Sequence, residues 1–529
     1  MPSSSLKLLL SIAGAVLFNI IFWNEKLALN SLLFDGFILC STFYLYPTSI
    51  KKPAVKYLLL AHLITVTTVV VHNTILSKLA FSATLLLLII FVQYIHRSVW
   101  FASGSILMNY IFMIPNYWAL IKHTSPQKNR WKTVRKIVRF VIIPILLLFV
   151  FMLLYNLANS IFSQMINEAA TAMSKIFAHF FDVISWQRLG FLLIGFFLTG
   201  GLLLKSSISY FSDEDQKKND NLKRIKNNLL QWKKTHWFEL INFLMGRFAN
   251  GVMALRNENS TGIISLAMLN ALLLFINCID MVYVWFGFSY TGTINLSKYV
   301  HEGAGLLIFS IVLAMLLLLF FFRGNLNFYK KNKWLKQLAF LWILQNIVLV
   351  ISVLLRDWYY IQHYGLAYKR IGVLIFLLMV LTGLFTVFMK IQLNKTSYFL
   401  MRVNGWFAII LLVLTSCIHW DETIASYNLS QKDHIELDVK FLLSLSDKTL
   451  PLLEKNLDVL SPKKATISDG EGAYLYRGSL NYSQVFEQRK IDFFMAMKNY
   501  SWLSWNLADE YVKKQLMTSK PALPLSINK

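Results

Sequence analysis

Residues 262–286 read GIISLAMLNALLLFINCIDMVYVWF, a run with one charged side chain, Asp280. About 20 predominantly apolar residues cross the hydrocarbon core of a bilayer as a helix. Two more such runs follow, 303–322 and 335–355, so this part of the chain is read as consecutive membrane helices. Polar groups gather where these runs end: Asp280, His301-Glu302-Gly303, Arg356-Asp357 and Tyr368-Lys369-Arg370. Ionisable groups at membrane depth are costly, so a cluster of them at span ends is the strongest functional pointer in the chain.

The same pattern recurs on both sides, at 8–23, 27–46, 54–72, 79–96, 140–159, 189–204, 371–389 and 403–418. Mean hydropathy is +0.52 and 56% of the 529 residues are hydrophobic, values that a soluble globular chain does not reach. The predicted fold class is therefore all-α: a polytopic transmembrane helix bundle of about eleven spans. A β-barrel is disfavoured, because its strands are alternating segments of about 10 residues and not continuous apolar ones.

The net charge of +25 is unevenly placed. From Trp420 onward 14 acids balance 14 bases, so residues 1–419 carry the whole excess, 38 bases against 13 acids. These bases lie in short loops: Lys51, Lys52 and Lys56, then 122–139, 205–261, Arg323 to Lys336, and Lys390 to Arg402. Basic short loops set orientation in a bilayer, so the excess reports topology and not nucleic-acid binding. It implies contact with the lipid bilayer, and with anionic lipid head groups at the cytoplasmic loops. Segment 100–121 is interrupted by Ser103, Ser105, Asn109, Pro115 and Asn116. All basic loops share one side only if this segment is re-entrant or interfacial. The expected topology then has the N-terminus in the cytoplasm and the C-terminus in the periplasm of a bacterial inner membrane. Residues 160–187 read as an amphipathic helix on the outer side. Residues 420–529 read as a small, mostly helical extracytoplasmic domain, with helices expected at 438–445, 449–460 and 483–500.

Candidate chemistry is sparse. Asp280 lies six residues inside the end of its run, with Asn277 one turn earlier on the same face. Its simplest partners are Lys369 or Arg370, two cations on the side of the membrane that otherwise lacks them. Such cations need carboxylates or an anionic ligand, a phosphate or a lipid head group. Glu302 beside His301 opens a helix, where the helix dipole favours an acid. The HExxH zinc pattern is absent, and no metal site or cofactor is expected. Gln345 and Asn346 lie mid-span and are expected to bond between helices. Cys40, Cys278 and Cys417 fall in apolar runs without a CxxC pair and are read as buried structural thiols.

The segments Asn270 to Asp280, Tyr299-Val-His-Glu-Gly, Phe320 to Asn327, Gln345-Asn346, Tyr364 to Gly372 and Trp420-Asp421 resemble an uncharacterised bacterial membrane family. It is the domain-of-unknown-function group numbered forty-one seventy-three, with the resemblance running from Arg256 to about Asn428. The resemblance implies a polytopic inner-membrane protein and no activity. The expectation is transport or flipping of a small or lipid-linked anionic solute. The rivals are a membrane sensor or envelope scaffold, and an integral-membrane transferase with His301 or Glu302 as general base. No Walker loop, GxSxG or nucleotide-binding glycine pattern occurs, which points away from the common soluble enzyme classes.

Overall fold

In hydrocarbon every backbone N–H and C=O must be paired within the protein, and a helix achieves this within its own segment. The computed structural model describes residues 4–124, 144, 147–148, 151–152, 162–168, 185–223, 254–286, 296–322, 324–435, 437–457 and 482–518. Among them the side chains of 122–124, 254, 296–304, 324–325 and 482 are not described. The described residues are overwhelmingly helical, with no β-strand among them. Two compact units result, one of residues 1–96, 101–213 and 498–506, the other of 97–100, 214–497 and 507–529.

The first unit contains α1 (Ser4–Phe22), α2 (Leu29–Leu45), α3 (Pro53–Val71), α4 (Ile75–Gln93), most of α5 (Val99–Ile111), α6 (Met113–Thr124) and α7 (Trp186–Leu203). The closest pairs are α1 with α7 and α3 with α4. Gly195 lets α7 approach α1 so nearly that a Cβ would stand 3.0 Å from the Ala15 carbonyl oxygen. Small residues at such crossings let membrane helices gain dispersion contacts that lipid would otherwise supply. The α1–α2 connection is a tight hairpin: Asn24 is left-handed (φ 58°), and the Asn30 amide donates to the carbonyls of Ile21 (3.1 Å) and Lys26 (2.8 Å). Lys52 closes the end of α4, its ammonium 3.2 Å from the Phe91 oxygen and 3.1 Å from that of Tyr94. Partial burial and the neighbouring Lys205 charge hold the Lys52 ammonium below the usual lysine range.

The second unit contains α8 (Tyr210–Lys217, from Glu214 on), α9 (Ala254–Asp280), α10 (Leu296–Phe321), α11 (Lys333–Tyr364), α12 (Tyr368–Gln392) and α13 (Ser397–Ser416). At its centre α11 packs on α9, α10 and α12 around Leu266, Ile311, Leu318, Leu349, Val353 and Leu384. A second apolar core joins α14 (Trp420–Ser430), α15 (Val439–Ser444), α16 (Leu450–Glu454), α17 (Tyr482–Lys498) and α18 (Leu507–Thr518). It also takes in Leu366 from the turn before α12, and Ile371 and Ile375 from the start of α12. The α15, α16 and α17 helices fall on the three tail segments where helices are expected, while α14 and α18 come in addition.

Eight described helices are long and apolar enough to cross a membrane: α1, α3, α4, α7, α9 with its continuation to Trp285, α11, α12 and α13. Shorter apolar helices occupy the expected runs at 27–46 (α2) and 303–322 (α10, from Gly305). Segment 100–121 forms two helices, α5 and α6, broken at Phe112. Most of 140–159, most of 160–187, nearly all of the 122–139 loop and residues 224–250 lie outside the described residues.

The three cysteines correct an expectation: Cys40, Cys278 and Cys417 are exposed and not buried. In a membrane bundle an apolar run need not point inward, because lipid tails receive its side chains as well as a core does.

Candidate functional site

Some of the polar residues expected within the spans and at their ends meet on the seam between α9 and α11. Asn270 donates across it to the Leu338 carbonyl (3.0 Å), Gln345 to the Asn270 side-chain oxygen (3.0 Å), and Asn277 to the Gln345 carbonyl (3.1 Å). Farther along, the Trp285 indole N–H donates to Ser352 Oγ (2.9 Å). Asn346 instead bonds within α11, to the Trp342 carbonyl (2.7 Å). Gln345 thus bonds between helices as expected, and Asn346 does not.

Near the end of this seam, Arg356 Nη2 lies 2.5 Å from Asp280 Oδ1, both residues buried. This corrects the expected pairing of Asp280 with Lys369 or Arg370. The reason is the length of α11. It runs on to Tyr364, past the apolar run that ends at Leu355, so Arg356 stays on the helical face turned toward α9. A π-helical turn, Met281–Trp285, continues α9 beyond Asp280. The other Asp280 oxygen, Oδ2, has no hydrogen-bond partner, nor has Asp357 Oδ2, and both are buried.

Arg370 supplies the charge that acts on Asp357. Its guanidinium donates to the carbonyls of Tyr364 (2.9 Å) and Gly365, and lies 4.2 Å from the centre of the Tyr360 ring. Gly365 ends α11 at φ +77°, ψ −172°, a conformation essentially reserved for glycine. The next residue is clamped from the second apolar core. Leu366 N–H donates to Asn428 Oδ1 (2.5 Å), and Asn428 Nδ2 donates to the Leu366 carbonyl (2.9 Å).

Not every expected residue joins the cluster. Tyr368 and Lys369 are exposed at the first turn of α12. His301 and Glu302 lie on α10, but their side chains are outside the described residues. Among the described residues, the end of the seam and the adjoining start of α12 bring together two carboxylates, Asp280 and Asp357, and two guanidinium groups, Arg356 and Arg370. Among the described residues no group of three or more His, Cys, Asp or Glu side chains is arranged to hold a metal ion.

A second polar node was not anticipated. Asp215 is fully buried, accepting from the backbone N–H groups of Arg97 (2.7 Å) and Ser98 (3.2 Å) and from the Tyr398 hydroxyl (2.6 Å). Asp220 takes Arg97 (3.1 Å) and Arg402 (2.7 Å). These residues stand in loops and helix ends that read as ordinary solvated charge. Only their convergence from three distant segments gives them away.

Against known proteins, one family model matches, that of a domain of unknown function, DUF4153, over residues 58–456. This corrects the resemblance to the group numbered forty-one seventy-three and widens the stretch involved. Short polar motifs at span ends are dictated by the boundary between bilayer and water, so separate polytopic families share them. No curated protein and no solved structure matches the chain. With three quarters of its length covered by that model, the chain belongs to the family of the domain of unknown function DUF4153.

Proposed function

We propose that the protein is a multi-pass transporter of a bacterial inner membrane that moves or flips a small or lipid-linked anionic solute. The N-terminus would be cytoplasmic and the C-terminus periplasmic, an orientation supported by the basic loops. One observation carries the transport reading: Asp280 and Asp357 are buried carboxylates, each with one oxygen lacking a hydrogen-bond partner, beside Arg356 and Arg370. A half-satisfied carboxylate is the weaker ligand in its pair and gives way to an anion that offers the guanidinium a better fork. An anion bound by Arg356 displaces Asp280, and the displaced carboxylate, in apolar surroundings, is neutralised by taking up a proton. One negative charge and one proton then enter the seam together, leaving its net charge unchanged. The exposed Lys369 adds attraction at the entrance.

The test is cysteine accessibility in a variant lacking Cys40, Cys278 and Cys417. Asp280→Cys and, separately, Ser352→Cys are treated with a membrane-impermeant thiol reagent on each face of sealed vesicles. Labelling from both faces is the expected result. No labelling from either face would make the seam a static ion pair and remove the transport reading.

A second reading, a membrane sensor or envelope scaffold, draws support from the Asn428 clamp on the α11–α12 turn. Through that clamp a ligand or partner of the C-terminal helices would act on the turn next to Arg370. Labelling at position 280 from one face only would favour it.

A further inference from the structure

In the first unit a second buried ionisable pair stands apart from the seam, and nothing in the transport reading uses it. Asp35 on α2 and His62 on α3 meet at 2.8 Å, carboxylate Oδ1 to imidazole Nε2. The other ring nitrogen, Nδ1, lies 2.9 Å from Thr84 Oγ1 on α4. Thr84 Oγ1 is in turn 2.8 Å from Thr65 Oγ1 and 2.8 Å from the Ala80 carbonyl, while Thr65 Oγ1 is 2.9 Å from the His62 carbonyl. His62, Thr65 and Thr84 are completely buried, Asp35 is 3% exposed, and the Phe81 ring stacks on the imidazole with centroids 5.4 Å apart.

We propose that Asp35, His62 and Thr84 form a reversible proton-binding site inside the first bundle, with the proton held on His62 Nδ1. The hydroxyl groups make this possible, because each proton has a place in both forms. With His62 protonated, Nε2–H donates to Asp35 and Nδ1–H to Thr84. The Thr84 hydroxyl then donates to the Ala80 carbonyl, and Thr65 to the His62 carbonyl. With His62 neutral, Nε2–H still donates to Asp35. The Thr84 hydroxyl swings to donate to Nδ1, and Thr65 donates to Thr84. Neither form strands a buried donor or acceptor in this chain of contacts, the condition a buried polar network must meet. Histidine is the side chain suited to this role, since its charge change ordinarily lies between about pH 5 and 8. The protonated form is also the net-neutral one, so gain and loss of the proton change the charge that α2, α3 and α4 enclose.

Asp35 is the ionisable side chain that faces His62. Cys40 and Tyr44 on α2, Lys56 and Tyr57 on α3, and Arg188 on α7 are exposed. Lys7 and Lys78 stand near the starts of α1 and α4, whereas His62 is mid-helix.

The experiment is nitrogen NMR of the full chain in lipid nanodiscs, with the ten histidines isotopically labelled. The His62 resonances are those lost in His62→Gln, and they are identified independently by their displacement in Thr84→Ser, which keeps the hydroxyl. As the pH is lowered and raised, the unaltered protein is expected to interconvert between an imidazolium and a neutral ring protonated at Nε2. Asp35→Asn is expected to lose the imidazolium signal at the acidic end of the pH series. A His62 that keeps one form throughout, or an imidazolium signal unchanged in Asp35→Asn, would overturn the proposal. Neither readout depends on the accessibility of Asp280, so failure here and failure of the transport reading are separable.

Discussion

The α9–α11 seam and the Asp35–His62–Thr84 cluster are both buried ionisable pairs between apolar helices, yet they are built differently. In the cluster, both ring nitrogens of the histidine are engaged and the hydroxyls can reverse their bonds. In the seam, Asp280 and Asp357 each leave an oxygen without a partner. A network in which each ring nitrogen and each hydroxyl is satisfied holds its helices in register. One with a spare acceptor is ready to exchange partners. On this difference rest the two proposals, a place that stores a proton and a place that can admit another charged group.

The largest expected effect comes from breaking the seam's ion pair on one side only. Arg356→Leu strands the buried Asp280 carboxylate and should cost about 3–5 kcal/mol in the unfolding of the micelle-bound protein. The double variant Asp280→Leu, Arg356→Leu should recover most of that loss. Equal destabilisation of single and double variants would show that charge pairing is not what the seam supplies.

A smaller loss is expected in the cluster. Thr84→Val keeps the shape but leaves His62 Nδ1 without its partner, at about 1–3 kcal/mol in the same measurement. If Thr84→Val were neutral, the contrast between a fully engaged imidazole and a half-satisfied seam would collapse. The smallest effect belongs to the seam's neutral bonds. Gln345→Leu removes the bond to Asn270, and interhelical bonds of this kind average about 0.6 kcal/mol, reaching about 1.7. A much larger loss there would move the weight of the seam from its ion pair to its amides.

The two apolar cores of the second unit invite the same scrutiny. Leu349 and Leu384 belong to helices that lipid also solvates, so close packing, not escape from water, holds them together. Tail residues such as Phe486 and Leu442 lie on helices that are not continuous apolar runs. In water their burial rests on the hydrophobic effect. Composition does not distinguish a leucine in one core from a leucine in the other, although patterning along the chain does.

What was legible in the sequence follows from local rules. Runs of about 20 apolar residues are forced into helices by the need to satisfy backbone groups in hydrocarbon. Asp280, Asn277, Gln345, Arg356 and Asp357 could be singled out because a polar side chain in or beside such a run is conspicuous. Asp35 and His62 obey the same rule within 27–46 and 54–72, and an acid in one apolar run with a histidine in the next was the signal available for them. Pairing was not legible. Asp280 meets Arg356 and not Lys369 or Arg370, Asp35 meets His62, and Asp215 meets Tyr398 and the backbone at Arg97, because contact depends on where helices distant in the chain cross and in what register. Hydrophobic periodicity along one helix carries no information about that crossing. The sequence by itself determined an all-helical bundle with long apolar helices and named most of the seam's residues. The tertiary structure alone decided which charges neutralise one another, since that choice is made by packing between helices and not within them.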